Sequence, residues 1–127
     1  MSTPNKWSRE LDDLTDLSKT NIEGLKNIAE DHIEQAAEMT EVLVEKILSV
    51  PPEAKYPYLC LIDCILKNVG SNYREEFQKH IREVFRNCHR SLRGARRDKV
   101  PDILEDWSRN NIFPQNVFRQ IREDLGI

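Results

Sequence analysis

Apolar side chains recur at intervals of three and four along nearly the whole chain, and no apolar/polar alternation persists long enough to make a strand. The expectation is an all-α fold. Leu11, Leu14 and Leu17 mark a first short helix after Trp7-Ser8, and the capping cluster Ser18-Lys19-Thr20-Asn21 separates it from the next. Ile22, Leu25, Ile28 and Ala29 line a second helix. A third runs from about Ile33 to Leu48 and stops before Pro51-Pro52, because a residue preceding proline is pushed out of helical geometry.

The fourth helix, about Glu53 to Val69, is apolar on nearly all sides between Tyr58 and Leu66, which marks an element surrounded by others. Pro57 is expected in its first turn and Gly70 at its end. Tyr73, Phe77 and Ile81 define a fifth helix, and Ile81, Val84, Phe85 and Cys88 a sixth. Val100 to Trp107 defines a seventh, with Ile103, Leu104 and Trp107 on one inward face. Pro114 opens an eighth bearing Val117, Phe118, Ile121 and Leu125. Eight short helices with brief connections suggest a right-handed helical array, although periodicity alone does not separate an array from a bundle. No internal repeat is visible.

Composition narrows the class. At 127 residues, 39% hydrophobic and 32% charged, the chain fits a single domain spanning 1–127. No stretch approaches the roughly 18 apolar residues of a membrane span, so no membrane association is expected. The polar start has no secretory core segment, and three cysteines are an odd number, so an intracellular, reducing compartment is expected. Four glycines leave little material for phosphate-cradling loops.

Charge is uneven. Residues 1–60 carry six Lys/Arg against twelve Asp/Glu, whereas residues 61–127 carry thirteen against ten. The basic excess gathers between Lys79 and Lys99, where Arg82, Arg86, Arg90, Arg93, Arg96 and Arg97 are opposed by Glu83 and Asp98. Its helical spacing fits a solvated face and also leaves room for a weak RNA contact.

Catalysis is poorly supported. Cys60 and Cys64 share a helix face, but neither they nor Cys88-His89 match a zinc-site spacing, so no metal or other cofactor is expected. Free cysteines in a central helix behave as small hydrophobes. His32, His80 and His89 lie in polar helical contexts with no active-site turn nearby, and no carboxylate pair stands out. The chain reads as a non-enzyme.

Asp63 is the anomaly, because a buried carboxylate without a partner costs several kcal/mol. Lys67 follows one turn later and could form an ion pair with it. With Asn68 these residues line one polar margin of an otherwise apolar helix. Such a margin suits a peptide groove, where a carboxylate accepts from a hydroxyl and an amide holds backbone.

The segment Asp63-Cys-Ile-Leu-Lys-Asn-Val-Gly70 resembles the central helix of the CTD-interacting domain family, whose members bind the C-terminal tail of RNA polymerase II. The resemblance extends to Leu14-Thr-Asp-Leu-Ser-Lys-Thr-Asn-Ile22 and to Trp107-Ser-Arg-Asn-Asn-Ile-Phe113, and is nearest to the cleavage and termination factor subclass of pre-mRNA 3′-end processing. It implies an eight-helix right-handed superhelix, similar also to VHS and ENTH domains.

The same resemblance implies a nuclear protein whose partner is the phosphorylated heptad Tyr-Ser-Pro-Thr-Ser-Pro-Ser. That ligand would bind with a β-turn among the second, fourth and seventh helices. Asp63 would accept from the heptad tyrosine hydroxyl and Asn68 would hold backbone, with Lys67 beside them and Ile65, Leu66 and Val69 as candidate apolar contacts, core burial being the expected role of at least some of the three. Ser18, Lys19 and Asn21 would flank the groove at the start of the second helix. Two positions depart from the family pattern. Cys60 stands where many members have tyrosine, and Asp102 stands where phosphate-gripping members have arginine, so Lys67, Lys99, Arg109 or Lys19 would have to compensate. A monomer is expected. An adaptor of the VHS/ENTH type in membrane traffic is the alternative. It would want a basic first helix, and Glu10, Asp12, Asp13 and Asp16 make this one acidic.

Overall fold

The computed structural model describes residues 3–14 and 18–127. They form eight α-helices: α1 (Thr3–Leu11), α2 (Lys19–Asp31), α3 (Ala36–Ser49), α4 (Pro52–Asn68), α5 (Ser71–Gln78), α6 (Ile81–Ser91), α7 (Gly94–Arg109) and α8 (Gln115–Leu125). A 3-10 turn, Ile33–Gln35, precedes α3, so the third helix starts three residues later than its hydrophobic pattern suggests. The described residues contain no strand, in line with the all-α expectation.

The apolar stripes converge on one core. Helix α4 lies at its centre and packs against α2, α3, α5 and α6; α1 lies on α3, and α6 on α8. Leu59, Leu61, Ile62, Ile65 and Leu66 are wholly buried, and each apolar side chain of this size contributes about 1.5–3 kcal/mol on burial. Trp7, Tyr58 and Tyr73 are also buried and satisfy their polar atoms on backbone carbonyls. The Trp7 indole donates to the Leu25 carbonyl (3.1 Å), Tyr58 to Leu11 (2.6 Å) and Tyr73 to Ala29 (2.7 Å). These three bonds fasten α1 to α2, α4 to the end of α1, and α5 to α2.

Two boundaries near the first and fourth helices also differ from expectation. The first helix ends at Leu11, and Leu14 reaches the core from the turn that follows, while Leu17 lies outside the described residues. Pro57 falls in the second turn of α4, because the helix already begins at Pro52. Proline cannot donate to the Glu53 carbonyl one turn back. Arg96 of α7 donates to that carbonyl instead (3.1 Å).

Helix α7 begins at Gly94 and runs through Pro101. The turns before the proline are held from outside: Arg96 by Glu53, and Arg97, which donates to the His89 carbonyl at 2.8 Å. Burial of Val100, Leu104 and Trp107 outweighs the backbone hydrogen bond lost at Pro101. Between α4 and α5, Gly70 adopts φ +113° and ψ −157°, a conformation that side chains other than hydrogen rarely take.

Candidate functional site

Helix α4 turns one face away from the core. Tyr56, Cys60, Asp63, Cys64 and Lys67 recur at helical spacing and, with Asn68, line a cavity of about 440 Å³. Lys19, Ile22 and Glu23 form the opposite wall, from the first turns of α2. A smaller cavity of about 290 Å³ continues along the same two helices and shares Glu23, Cys64 and Asn68, adding Lys26 and Asn27. Together they make a groove with apolar flanks and polar groups at intervals.

Asp63 is the centre of this groove and is 31% exposed. Its Oδ1 accepts the Trp107 indole N–H (2.6 Å) and contacts Lys67 Nζ (3.0 Å). No donor among the described residues reaches Oδ2. Lys67 also bonds Asp106 on α7 at 2.5 Å, so α7 reaches α4 through a carboxylate–ammonium–carboxylate chain. Partial burial lowers the Lys67 pKa, but its bonds to Asp106 and Asp63 outweigh that and hold it above the usual lysine value. The same bond to Lys67 holds the Asp106 carboxyl below its ordinary value.

Tyr56 supplies an aromatic wall one turn before Cys60, with the Arg96 guanidinium 5.4 Å from its ring centroid. Burial, reinforced by Cys60, pushes the Tyr56 phenol up. Burial also pushes both Cys60 and Cys64 up, so the two thiols stay protonated and serve as soft apolar wall. They line the groove, where the sequence reading placed small core hydrophobes. Asn68 Nδ2 donates to the Cys64 carbonyl (2.8 Å), which fixes the amide at the groove's edge with its oxygen unused.

Asp63, Lys67, Asn68 and Lys19 thus line one cavity, and the Asp63–Lys67 ion pair coexists with an open carboxylate. The remaining assignments need correction. Ile65 and Leu66 are fully buried and cannot touch a ligand, because they point from the opposite side of α4 into the core. Val69 packs partly against that core and lies outside the cavity lining. Ser18 caps α2, accepting the Asn21 N–H (3.3 Å). Asn21 itself lines a different cavity between α1 and α2, since two residues after Lys19 a helix has turned about 200°.

Asp102 is exposed in the third turn of α7, one turn before Asp106 and outside the cavity. It is no first-turn residue, because the helix starts at Gly94. Lys67 is committed to two carboxylates, and Arg109 pairs with Glu105, so both are poor compensators for a missing arginine. The sequence reading missed Tyr56, Ile22, Glu23 and Cys64, whose spacing along α2 and α4 was the available signal. Among the described residues no three metal-capable groups cluster, and no helix is long and apolar enough to cross a membrane.

The arrangement recurs in known proteins. Of curated relatives, an uncharacterised protein of Schizosaccharomyces pombe is 32% identical over 97 residues, covering 76% of this chain and 15% of its own. Protein PCF11 of Saccharomyces cerevisiae is 26% identical over 120 residues, covering 91% and 19%. The chain therefore spans less than a fifth of the length of these relatives. Among solved structures, the RPR of Pcf11 superposes with a TM-score of 0.90 at 23% identity, covering 96% of this chain and 97% of that one. The CTD-interacting domain of Seb1 from S. pombe superposes with 0.83 at 17%, covering 96% and 95%. The Nrd1 CID of yeast, solved in complex with a Sen1 segment, superposes with 0.82 at 18%, covering 94% and 96%. These likenesses show the shared helical array, and the CID domain family model matches residues 5–121. The chain belongs to the CID domain family.

Proposed function

We propose that this domain binds the phosphorylated heptad tail of RNA polymerase II in the α2–α4 groove, as a monomeric nuclear module of a longer 3′-end processing or termination protein. The observation that carries the reading is Asp63: a carboxylate with one oxygen held by Trp107 and Lys67 and the other open, set beside an apolar cavity. Such a group accepts a phenol hydroxyl inside an otherwise greasy pocket, which is what a heptad tyrosine presents. Tyr56 supplies the aromatic surface that Cys60 lacks. The PCF11 likeness and the CTD-interacting domain of Seb1 support the choice of partner.

Asp63→Asn is expected to weaken binding of a two-repeat heptad peptide by about 1–3 kcal/mol, the range of a charge-assisted hydrogen bond. The fold is expected to persist. Titration of labelled protein followed by amide shifts checks both points: shifts should gather on α2 and α4 around Asp63 to Asn68. A spectrum unmoved at millimolar peptide would remove the proposal.

Asp102 offers a second check on the α7 border. Its carboxylate lies one turn from Asp106, and at exposed range a like charge costs on the order of 1 kcal/mol. Asp102→Arg is expected to tighten phosphorylated peptide more than unmodified peptide, with the gain growing at low salt. Equal affinities for both peptides at all salts would show that α7 stands clear of the ligand.

A weak RNA contact along Lys79 to Lys99 is a second reading, favoured by Arg86, Arg90 and Lys99, which are exposed and form no ion pair among the described residues. Arg82, by contrast, is bound to Asp124 through two hydrogen bonds (2.9 and 3.0 Å). Single-stranded RNA binding with a steep salt dependence and no competition from heptad peptide would support it.

A further inference from the structure

Glu83, Arg86, Asn87 and Arg90 recur at intervals of three and four along α6 and, with Asp124 and Leu125 from the end of α8, line a cleft of about 470 Å³. None of them lines the α2–α4 groove. Arg86 and Arg90 are exposed and form no ion pair among the described residues, whereas Arg82, one turn earlier, is taken up by Asp124. Two guanidinium groups therefore remain free at the cleft. His89 borders it without adding charge at neutral pH, because burial and the nearby Arg97 hold its imidazole below the usual value. Asn87 lies deeper than the arginines: its Oδ1 is buried and accepts from no donor among the described residues. A buried acceptor left unused costs stability, so folding alone does not account for this amide.

We infer that the α6–α8 cleft is a docking site for an acidic segment of another protein, held by two carboxylates two residues apart and by a backbone N–H beside them. The inference is independent of the heptad reading. The bases of Arg86 and Arg90 stand one helical turn, about 6 Å, apart, and same-side residues of an extended chain stand about 7 Å apart, so each guanidinium can meet one carboxylate through paired N–H bonds. An extended segment with no partner strand also keeps free N–H groups, one of which can donate to Asn87 Oδ1. Glu83, one turn before Arg86, is exposed and unpaired among the described residues, which favours a basic residue next along the segment. Nucleic acid fits this cleft less well. A phosphodiester backbone is a run of acceptors where Asn87 requires a donor, and its negative charge continues unbroken past Glu83.

The probe is the capped peptide Lys-Thr-Glu-Val-Glu-Thr-Lys, whose alternate residues place Lys, Glu, Glu and Lys on one side and so suit either chain direction. It is titrated into the labelled domain and into Arg86→Ala, Arg90→Ala and Asn87→Leu, beside a control peptide with Gln for both Glu. Amide shifts should gather on α6 and the end of α8, with none around Asp63. Each arginine variant should weaken binding about two- to fivefold, the range of an exposed ion pair, and the loss should shrink at high salt. Asn87→Leu should weaken it about two- to tenfold, while its urea midpoint stays at or above that of the wild type, because the change removes an unsatisfied acceptor. Saturating heptad peptide should leave the affinity unchanged.

No shift on α6 or α8 at millimolar peptide overturns the inference, as does equal binding of the Gln control. An Asn87→Leu variant that unfolds well before the wild type shows that the amide serves the fold, which removes the acceptor from the argument and the inference with it. Single-stranded RNA that displaces the peptide, with matching losses in both arginine variants, assigns the cleft to nucleic acid instead. Self-association of the domain that Arg90→Ala abolishes assigns it to a second copy. Displacement by heptad peptide would show that the cleft and the groove are not separate sites.

Discussion

Trp107→Ala is expected to destabilise the domain by about 3–5 kcal/mol, a large share of the 5–15 kcal/mol that holds a domain of this size. The side chain is fully buried and meets Phe85 and Phe113 edge to face, with ring centroids at 5.3 and 6.1 Å. Truncation removes these contacts and leaves a cavity where α4, α6 and α7 meet. It also strips Asp63 of its indole donor. Trp107→Phe separates the two roles: it keeps most of the packing, so it should unfold well above the alanine variant yet still bind heptad peptide more weakly. Denaturant titration of both variants, followed by peptide binding to the phenylalanine form, checks this. An alanine variant within 1 kcal/mol of wild type would contradict the packing account. A phenylalanine variant with full affinity would show that Asp63 needs no positioning.

Lys55→Met is expected to cost about 3 kcal/mol, although methionine matches lysine in length and is the more apolar residue. Lys55 is only 3% exposed, and its ammonium bonds the Ile47 carbonyl (2.6 Å) and the Leu48 carbonyl (3.3 Å). These belong to the last turn of α3, whose carbonyls have no intrahelical partner. The lysine is the cap that lets the α3–α4 corner be buried. Methionine would leave two carbonyls with no donor, and the stem's packing would not recover that loss. Equilibrium unfolding in urea measures the difference. A variant as stable as wild type would mean that water or backbone adjustment replaces the ammonium at no cost.

The two substitutions mark where local pattern stops being informative. The inward face of α7 with Trp107 is written in the spacing Ile103, Leu104, Trp107, and it can be read without any partner. Lys55 carries no such mark. By its position before Pro57 it reads as a surface residue in an opening turn, and only the approach of α3 to α4 makes it a buried cap. Helix α7 shows the same limit from the other side. Pro101 argues locally for a helix start, and packing from Val100 onward, with Arg96 and Arg97 tied to neighbouring elements, carries the helix back to Gly94.

At the groove the division is finer. Asp63 was conspicuous in the sequence because a carboxylate in an apolar stretch demands an explanation, and Lys67 one turn away gave part of it. The residues Tyr56, Cys60 and Cys64 complete the same face by spacing alone. What the sequence could not supply were the partners on other helices: Trp107, 44 residues from Asp63, Asp106, 39 from Lys67, and the residues Glu23 and Lys26 that continue the α2 wall beyond Lys19. It also left open which of Ile65, Leu66 and Val69 are core and which face a ligand, since an all-round apolar helix does not announce which side is covered.

By itself, then, the sequence determined the helical class, most helix positions, the core stripes and the one carboxylate out of place. These follow from interactions within a turn or two of chain, where side-chain spacing maps directly onto helix faces. The tertiary structure decided which face of α4 stays open, which cations remain unpaired beside it and which carbonyls a buried lysine must satisfy. Those depend on how distant helices cross and which side chains they bring within a few ångströms, a geometry that local periodicity leaves open.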